Sequence, residues 1–229
     1  MALYARLFAS VYDRVLAGSE RAGLAALRRE LLSHARGRTL EVGAGTGLNL
    51  PHYPASLTEL TLVEPDPAMT KRLERRVGSQ LRPGAAQPSP VPAQSYPVPA
   101  QPYPVRCLSA AAERLPFPDD AFDTVVCTLV LCTVADPLQA LREIRRVLVP
   151  GGCLLFLEHV RSSDPALARW QDRLEPVWRR LGRGCRCNRS TLETIEASGF
   201  SVLAVEHRRM PKAIPIVAPL IVGRALAGA

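Results

Sequence analysis

Short, unbroken apolar runs alternate along this chain with longer segments of helical spacing, and that alternation constrains the fold more than any other feature. Thr39–Val42, Leu60–Val63, Val105–Leu108, Phe122–Leu131, Cys153–Leu157, Phe200–Val205 and Ile221–Ala225 read as strands. Arg21–His34, Pro67–Leu81, Pro137–Leu148, Pro165–Leu181 and Thr191–Ser198 carry apolar residues at helical intervals. Asp66 before Pro67 and Asp136 before Pro137 are helix-start signals, Ser190 to Glu193 reads as a capping box, and Pro150-Gly151-Gly152 as a stop. Strand and helix in alternation imply parallel βαβ units with right-handed crossovers. The last two strands have no helix between them, so one is expected to run antiparallel. The expectation is an α/β fold: a doubly wound, mostly parallel seven-stranded sheet with one antiparallel edge strand, in a single domain. Residues 1–36 would form an N-terminal helical cap on a domain spanning 37–229.

One segment breaks the pattern. Residues 83–104 contain Val91–Pro97 and its near-repeat Val98–Pro104, rich in proline. Proline lacks the amide donor that helices and sheets need, so an extended loop is expected. It suits a surface insertion or, alternatively, a ligand for an aromatic groove in a partner.

The chain of 229 residues is 47% hydrophobic and 22% charged, as globular proteins are. No apolar run approaches the roughly 20 residues needed to span a bilayer. Arg6, Asp13 and Arg14 interrupt the N-terminus, which does not read as a signal peptide. A cytoplasmic protein is expected. The net charge of +8 is almost all arginine, Lys71 and Lys212 being the only lysines. A GC-rich genome accounts for that bias; attraction to an anionic membrane surface is the functional alternative. Aromatic and basic residues do not interleave, so no nucleic-acid partner is expected. None of the six cysteines forms a CxxC pair, which points to reduced thiols rather than a metal site.

The chemistry concentrates at Glu41-Val42-Gly43-Ala44-Gly45-Thr46-Gly47, directly after the first strand. Glycines there let the backbone take positive φ and let a ligand approach the main chain. Glu64 ends the next strand, where a carboxylate can accept from both hydroxyls of a ribose. A dinucleotide site would read GxGxxG; the spacing here is GxGxG, with acidic Glu41 ahead of it. A carboxylate repels a pyrophosphate but suits the ammonium and sulfonium of S-adenosylmethionine (AdoMet).

These motifs, with Ala112–Asp119, Phe122-Asp123 and Leu148–Gly152, resemble those of class I AdoMet-dependent methyltransferases, which are Rossmann-like. The resemblance implies that Glu41, Gly43, Ala44, Gly45 and Gly47 line the methionine end of the cofactor. It places Glu64 and Pro65 at the ribose, Ala112 and Glu113 beside the adenine, and Thr128 and Leu129 facing the sulfonium. Relatives often carry a polar residue where this chain has Ala111, so adenine contact would rest on backbone amides or on Glu113. More narrowly, Val126–Val134, Phe156–Val160, and Trp170–Trp178 with Gly184-Cys185 and Asn188-Arg189 resemble the methyltransferase-like seven group, whose animal members are membrane-associated alkyl thiol S-methyltransferases. A hydrophobic N-terminal anchor like theirs is not expected here, where the sequence opens with the amphipathic stretch Tyr4–Asp13.

The resemblance leads to the expectation of a small lipophilic acceptor such as a thiol, with no obligate protein partner and no metal. His159, just past the fifth strand, is the candidate base, with Glu158 orienting it or simply solvated; Tyr12 is a candidate acceptor contact, as are Trp170 and Trp178, eight apart on one helix and hence expected on roughly one face. Arg179, Arg180, Arg183, Arg186 and Arg189 form a basic cluster suited to solvent or to anionic lipid. A phospholipid or quinone methyltransferase is the alternative reading, and a catalytically silent AdoMet-binding scaffold the lesser one.

Overall fold

Each central strand of this sheet is buried on both faces, which is what a parallel sheet covered by helices requires. The computed structural model describes residues 2–80 and 102–228. Among these residues seven strands form one sheet: β1 (Arg38–Val42), β2 (Glu59–Val63), β3 (Val105–Leu108), β4 (Phe122–Thr128), β5 (Leu148–His159), β6 (Phe200–Arg209) and β7 (Pro219–Ala227). Their order is β3-β2-β1-β4-β5-β7-β6. Strands β1 to β5 pair in parallel. Strand β7 runs antiparallel to both neighbours, sitting between β5 and the outermost β6. The hairpin-like return from β6 to β7 follows from the missing helix.

Among the described residues six α-helices accompany the sheet: α1 (Ala2–Ser19), α2 (Ala25–Leu32), α3 (Pro67–Gln80), α4 (Pro137–Val147), α5 (Pro165–Leu181) and α6 (Thr191–Ala197). Leu40, Val125, Leu154 and Phe156 point into one core layer with Leu141 and Ile144 of α4. Leu60, Val126, Leu155 and Leu157 point into the other with Leu31, Leu32 and Leu73. The two-residue periodicity of a strand produces that division. No helix of the described residues is long and apolar enough to cross a membrane.

The start signals act as read for two helices. Asp66 Oδ1 accepts from the amides of Ala68 (2.8 Å) and Met69 (3.2 Å), and Asp136 Oδ1 from that of Gln139 (3.0 Å). Three local expectations fail. Ser190 makes no side-chain cap, because its backbone (φ −80°, ψ 66°) lies outside the extended region that aims a capping hydroxyl. Helix α4 ends at Val147, before Pro150-Gly151-Gly152, because Leu148 is already extended (φ −79°, ψ 138°) and begins β5. Strand β4 stops at Thr128, because Leu129 turns to a positive φ of 60°.

Most of the proline-rich segment lies outside the described residues. Its last three residues are described: Tyr103 is buried in the core, and the Pro104 carbonyl accepts from the Leu60 amide at 3.0 Å.

Candidate active site

The strand order reverses at β1 and β4, since β2 and β3 lie to one side and β5 to the other. Open α/β sheets bind ligands at such a switch point, beyond the carboxyl ends of the strands. A cavity of about 780 Å³ lies there, walled by Gly43, Gly45, Glu64, Pro65, Ala112, Glu113, Thr128, Leu129 and His159, together with α1, the end of α5 and residues 210–217.

The glycine turn departs from the end of β1. Gly43 has φ 65°, and a Cβ there would come within 2.6 Å of Val130 Cγ2. Gly45 has φ 58°, and a Cβ there would meet nothing within 4 Å, so the turn presents bare backbone to the cavity. Glu64 fastens this turn to the end of β2. Its Oε2 accepts from the Gly45 amide at 2.8 Å and its Oε1 from the Asp66 amide at 2.9 Å. Burial raises its pKa from the usual carboxylate range, and those two amides partly offset the effect. Lone pairs on both oxygens remain for a ligand.

Three residues of the glycine-turn motif do not line the main cavity. Glu41 does not reach the main cavity: it is buried below the turn, accepting from Asn49 Nδ2 (2.9 Å) and the Tyr53 hydroxyl (2.8 Å). Gly47 is also absent from the wall, because it faces inward, where a Cβ would lie 2.8 Å from Leu50 and 2.9 Å from Leu73. Ala44 borders only a small side cleft of about 20 Å³, shared with Glu41, Arg28 and Thr128.

Around that cleft runs a buried polar network. Arg28 donates to Glu20 Oε1 (3.0 Å), Asn49 Oδ1 (2.8 Å) and Thr128 Oγ1 (3.2 Å), and Asn49 Nδ2 also reaches Thr128 (2.9 Å). The network joins the segment before α2, the glycine turn and the end of β4. Helix α1 is attached separately: Asp13 accepts from Thr46 Oγ1 at 2.6 Å and from Arg76 Nη2 at 2.8 Å.

Beyond β4 the chain turns sharply, and one acidic side chain gathers the amides of the turn. Glu158, wholly buried, accepts from the amides of Val130 (2.9 Å), Leu131 (2.9 Å) and Cys132 (3.2 Å). It therefore neither meets solvent nor orients His159. On the opposite wall Glu113 is committed too, its Oε1 accepting from the amides of Ala135 (2.9 Å) and Asp136 (3.3 Å). Arg183, at the end of α5, is ion-paired to Asp66 at 2.5 Å beside Glu64.

The remaining wall is apolar. Val11, Tyr12, Val15 and Leu16 of α1 face Trp178, Leu181, Met210, Ala213, Ile214 and Val217. His159 is 7% exposed, and its Nδ1 is buried with no hydrogen-bond partner. Burial pushes its pKa down to about 4, so the ring is neutral near pH 7. Trp170 is not in this wall: it is 54% exposed, with the Arg173 guanidinium 5.7 Å from its ring centroid. Eight residues carry a helix about 80° past two full turns, which sets Trp170 at the solvent side of the face that Trp178 presents to the cavity. Gln171, seven before Trp178, is the buried residue instead. Its Nε2 donates to the carbonyls of Val160, Cys187 and Ile216. The basic cluster is likewise divided, since Arg189 points inward to the carbonyls of Leu131 and Val134.

Residues 40–156 match the family model described as a methyltransferase domain. The chain belongs to the AdoMet-dependent methyltransferases. It is 34% identical over 209 residues to human thiol S-methyltransferase TMT1B, covering 87% of this chain and 78% of that one. To human thiol S-methyltransferase TMT1A it is 31% identical over 221 residues, covering 96% and 82%. Among solved structures, an AdoMet-dependent methyltransferase from Thermotoga maritima superposes with a TM-score of 0.66 at 20% identity, over 99% of this chain and all of that one. That last likeness establishes the Rossmann-like fold.

The methyltransferase uses AdoMet, and its main cavity fits a sulfonium nucleoside: bare backbone at Gly45 and an acid at Glu64, the cations of the wall being Lys212 and Arg183, the latter paired to Asp66. Sequence reading missed Arg28 and Asn49. One signal for Arg28 was present: it lies four after Leu24 and three before Leu31, a spacing that marks a buried face.

Burial also pushes Glu41 up to about 7 from 4.5. A carboxyl whose folded pKa is raised stabilises the fold below its unfolded pKa, and that contribution disappears as pH rises through the folded value. The stability of the methyltransferase relative to its Glu41→Gln variant should therefore fall between pH 5 and 8, by up to about 3 kcal/mol. Thermal melts of both proteins across that range test this; parallel curves contradict it.

Proposed function

We propose that this methyltransferase transfers its methyl group to a small lipophilic thiol, with Glu64 and the backbone of Gly43 and Gly45 holding the cofactor. Pro65 would flank the ribose, Ala112 and the backbone of Glu113 the adenine, and Thr128 and Leu129 the sulfonium. Tyr12 and Trp178 would contact the acceptor, while Glu41, Ala44 and Gly47 support the turn from behind. In the same reading residues 1–36 act as a helical cap on the domain 37–229. The observation that carries the proposal is the cavity at the switch point, where apolar side chains of α1, α5 and residues 210–217 and the neutral imidazole of His159 face Gly45 and Glu64. The thiol S-methyltransferase relatives, matched over most of their length, support the acceptor class over a quinone or a phospholipid, and support an active enzyme over a silent scaffold.

AdoMet supplies an already activated methyl group. The chain's own residues then need to hold the thiol in line, exclude water and receive a proton. The apolar wall excludes water. His159 accepts the hydrogen bond of the thiol and takes its proton as negative charge on the sulfur is consumed. At the cavity mouth Val15, Leu181 and Ile214 are exposed, with Arg179 and Arg180 nearby in sequence. That rim suits peripheral contact between a cytoplasmic protein and an anionic membrane holding a lipophilic acceptor.

Labelled AdoMet offered with alkyl thiols, aromatic thiols, amines and phenols, free or in anionic vesicles, tests the reading. Thiols should be methylated, and faster from the vesicles. Replacing His159 by asparagine should cut kcat/KM for an alkyl thiol about 100-fold. The loss should be much smaller for an aromatic thiol, whose thiolate is populated without help. Methylation confined to amines, or an equal loss on both thiols, would overturn the assignment.

A further inference from the structure

Two thiols that the transfer does not use meet at the wall of the acceptor cavity. Cys132 lies in the turn after β4, and Cys185 in the turn after α5. Their sulfurs are 3.9 Å apart. The two segments are already clamped, since the Arg186 amide donates to the Cys132 carbonyl at 2.7 Å and Arg189 donates to the carbonyls of Leu131 and Val134. Both cysteines are almost fully buried, yet both border the cavity, so a small molecule that enters the cavity reaches them. A disulfide needs sulfurs about 2 Å apart on backbones within about 7 Å, which adjoining, hydrogen-bonded segments supply.

We propose that Cys132 and Cys185 are a redox modification site, closing to a reversible disulfide when a hydroperoxide enters the acceptor cavity and thereby stopping methyl transfer. The two sulfurs are not equivalent. Cys185 lies below its usual pKa, through its hydrogen bond with Cys132 and the neighbouring Trp178 indole, with burial opposing. Cys132 lies well above, held protonated by that same contact and by burial. Cys185 is also the more exposed of the two, so its sulfur attacks first and Cys132 is the resolving thiol. The Cys185 sulfur attacks the peroxide, the O–O bond breaks, an alcohol leaves, and a sulfenic acid remains. The Cys132 sulfur then attacks the Cys185 sulfur, the S–O bond breaks, and water departs with the Cys132 proton. Two thiols and one hydroperoxide become one disulfide, one alcohol and one water; an external dithiol reverses the change.

The consequence for activity, though not the chemistry, rests on the acceptor assignment above. Cys132, Cys185, Trp178 and Val217 form one cluster, apart from Gly43, Gly45 and Glu64. Closure therefore constrains the acceptor end and spares the cofactor end.

The protein is treated with tert-butyl hydroperoxide, free thiols are alkylated, and the mass and peptide map are read. The expected product is about 2 Da lighter, keeps four of its six thiols and joins Cys132 to Cys185. It should form in Cys187→Ser and be absent from Cys132→Ala and Cys185→Ser. Relative to its own reduced form, the oxidised wild type should lose at least about tenfold in turnover while AdoMet affinity changes less than about threefold. Dithiothreitol should restore the activity. A crosslink between other cysteines, no crosslink, or equal inhibition of Cys185→Ser overturns the proposal. The mass readout needs no acceptor, so it stands or fails separately from the thiol assignment.

Discussion

Glu64→Ala is expected to weaken AdoMet binding about 100-fold, measured by calorimetry. Glu64 gives each carboxylate oxygen one backbone amide, on Gly45 and on Asp66, and keeps the remaining lone pairs toward the cavity. Hydrogen bonds to a charged group contribute about 1.5–3 kcal/mol each. Loss of those to two ribose hydroxyls, with a looser glycine turn, adds to about 3 kcal/mol, hence about two decades in Kd. Glu64→Gln separates the contributions: it retains an oxygen for one amide but loses the charge, and should fall between. Unchanged affinity in Glu64→Ala would remove the acid from the cofactor site and with it the assignment of that end of the cavity.

Glu158→Ala is expected to damage fold and catalysis together. Glu158 is the sole side chain among the described contacts that accepts from the amides of Val130, Leu131 and Cys132. An unsatisfied buried amide costs about 1–3 kcal/mol, so the variant should lose about 4 kcal/mol of stability even if water enters to satisfy one donor. Its kcat should fall further than its AdoMet affinity, because Thr128 and Leu129 immediately precede the released turn. Glu158→Gln, which keeps one acceptor oxygen, should recover part of the stability but not all of it. Chemical denaturation and steady-state kinetics on the two variants test this. A variant as stable as the wild type would show that the turn holds itself.

How far the sequence disclosed this depended on whether a feature is local. The glycine turn, Glu64 and the Asp66 and Asp136 caps are set by neighbours along the chain, and the sequence placed them correctly. The orientation of Glu41 was not legible, because it depends on Asn49 and Tyr53 folding back under the turn. The same holds for Glu158, an acid inside an apolar run that reads as a solvated strand end until the turn after β4 comes to lie against it. Trp170 is an error of period: eight residues resemble two turns only if the 80° remainder is ignored. Arg28 sits at a core position of its helix, and a charged residue there signals a buried partner that only the fold can identify.

Asp13 ties the first helix at once to Thr46 of the glycine turn and to Arg76 of α3. Val11, Tyr12 and Gly45 border the same cavity. A ligand touching all three favours the seated helix, and by thermodynamic reciprocity the seated helix favours the ligand by the same factor. Whatever grips or frees the first helix would thus change affinity at that cavity without coming near it.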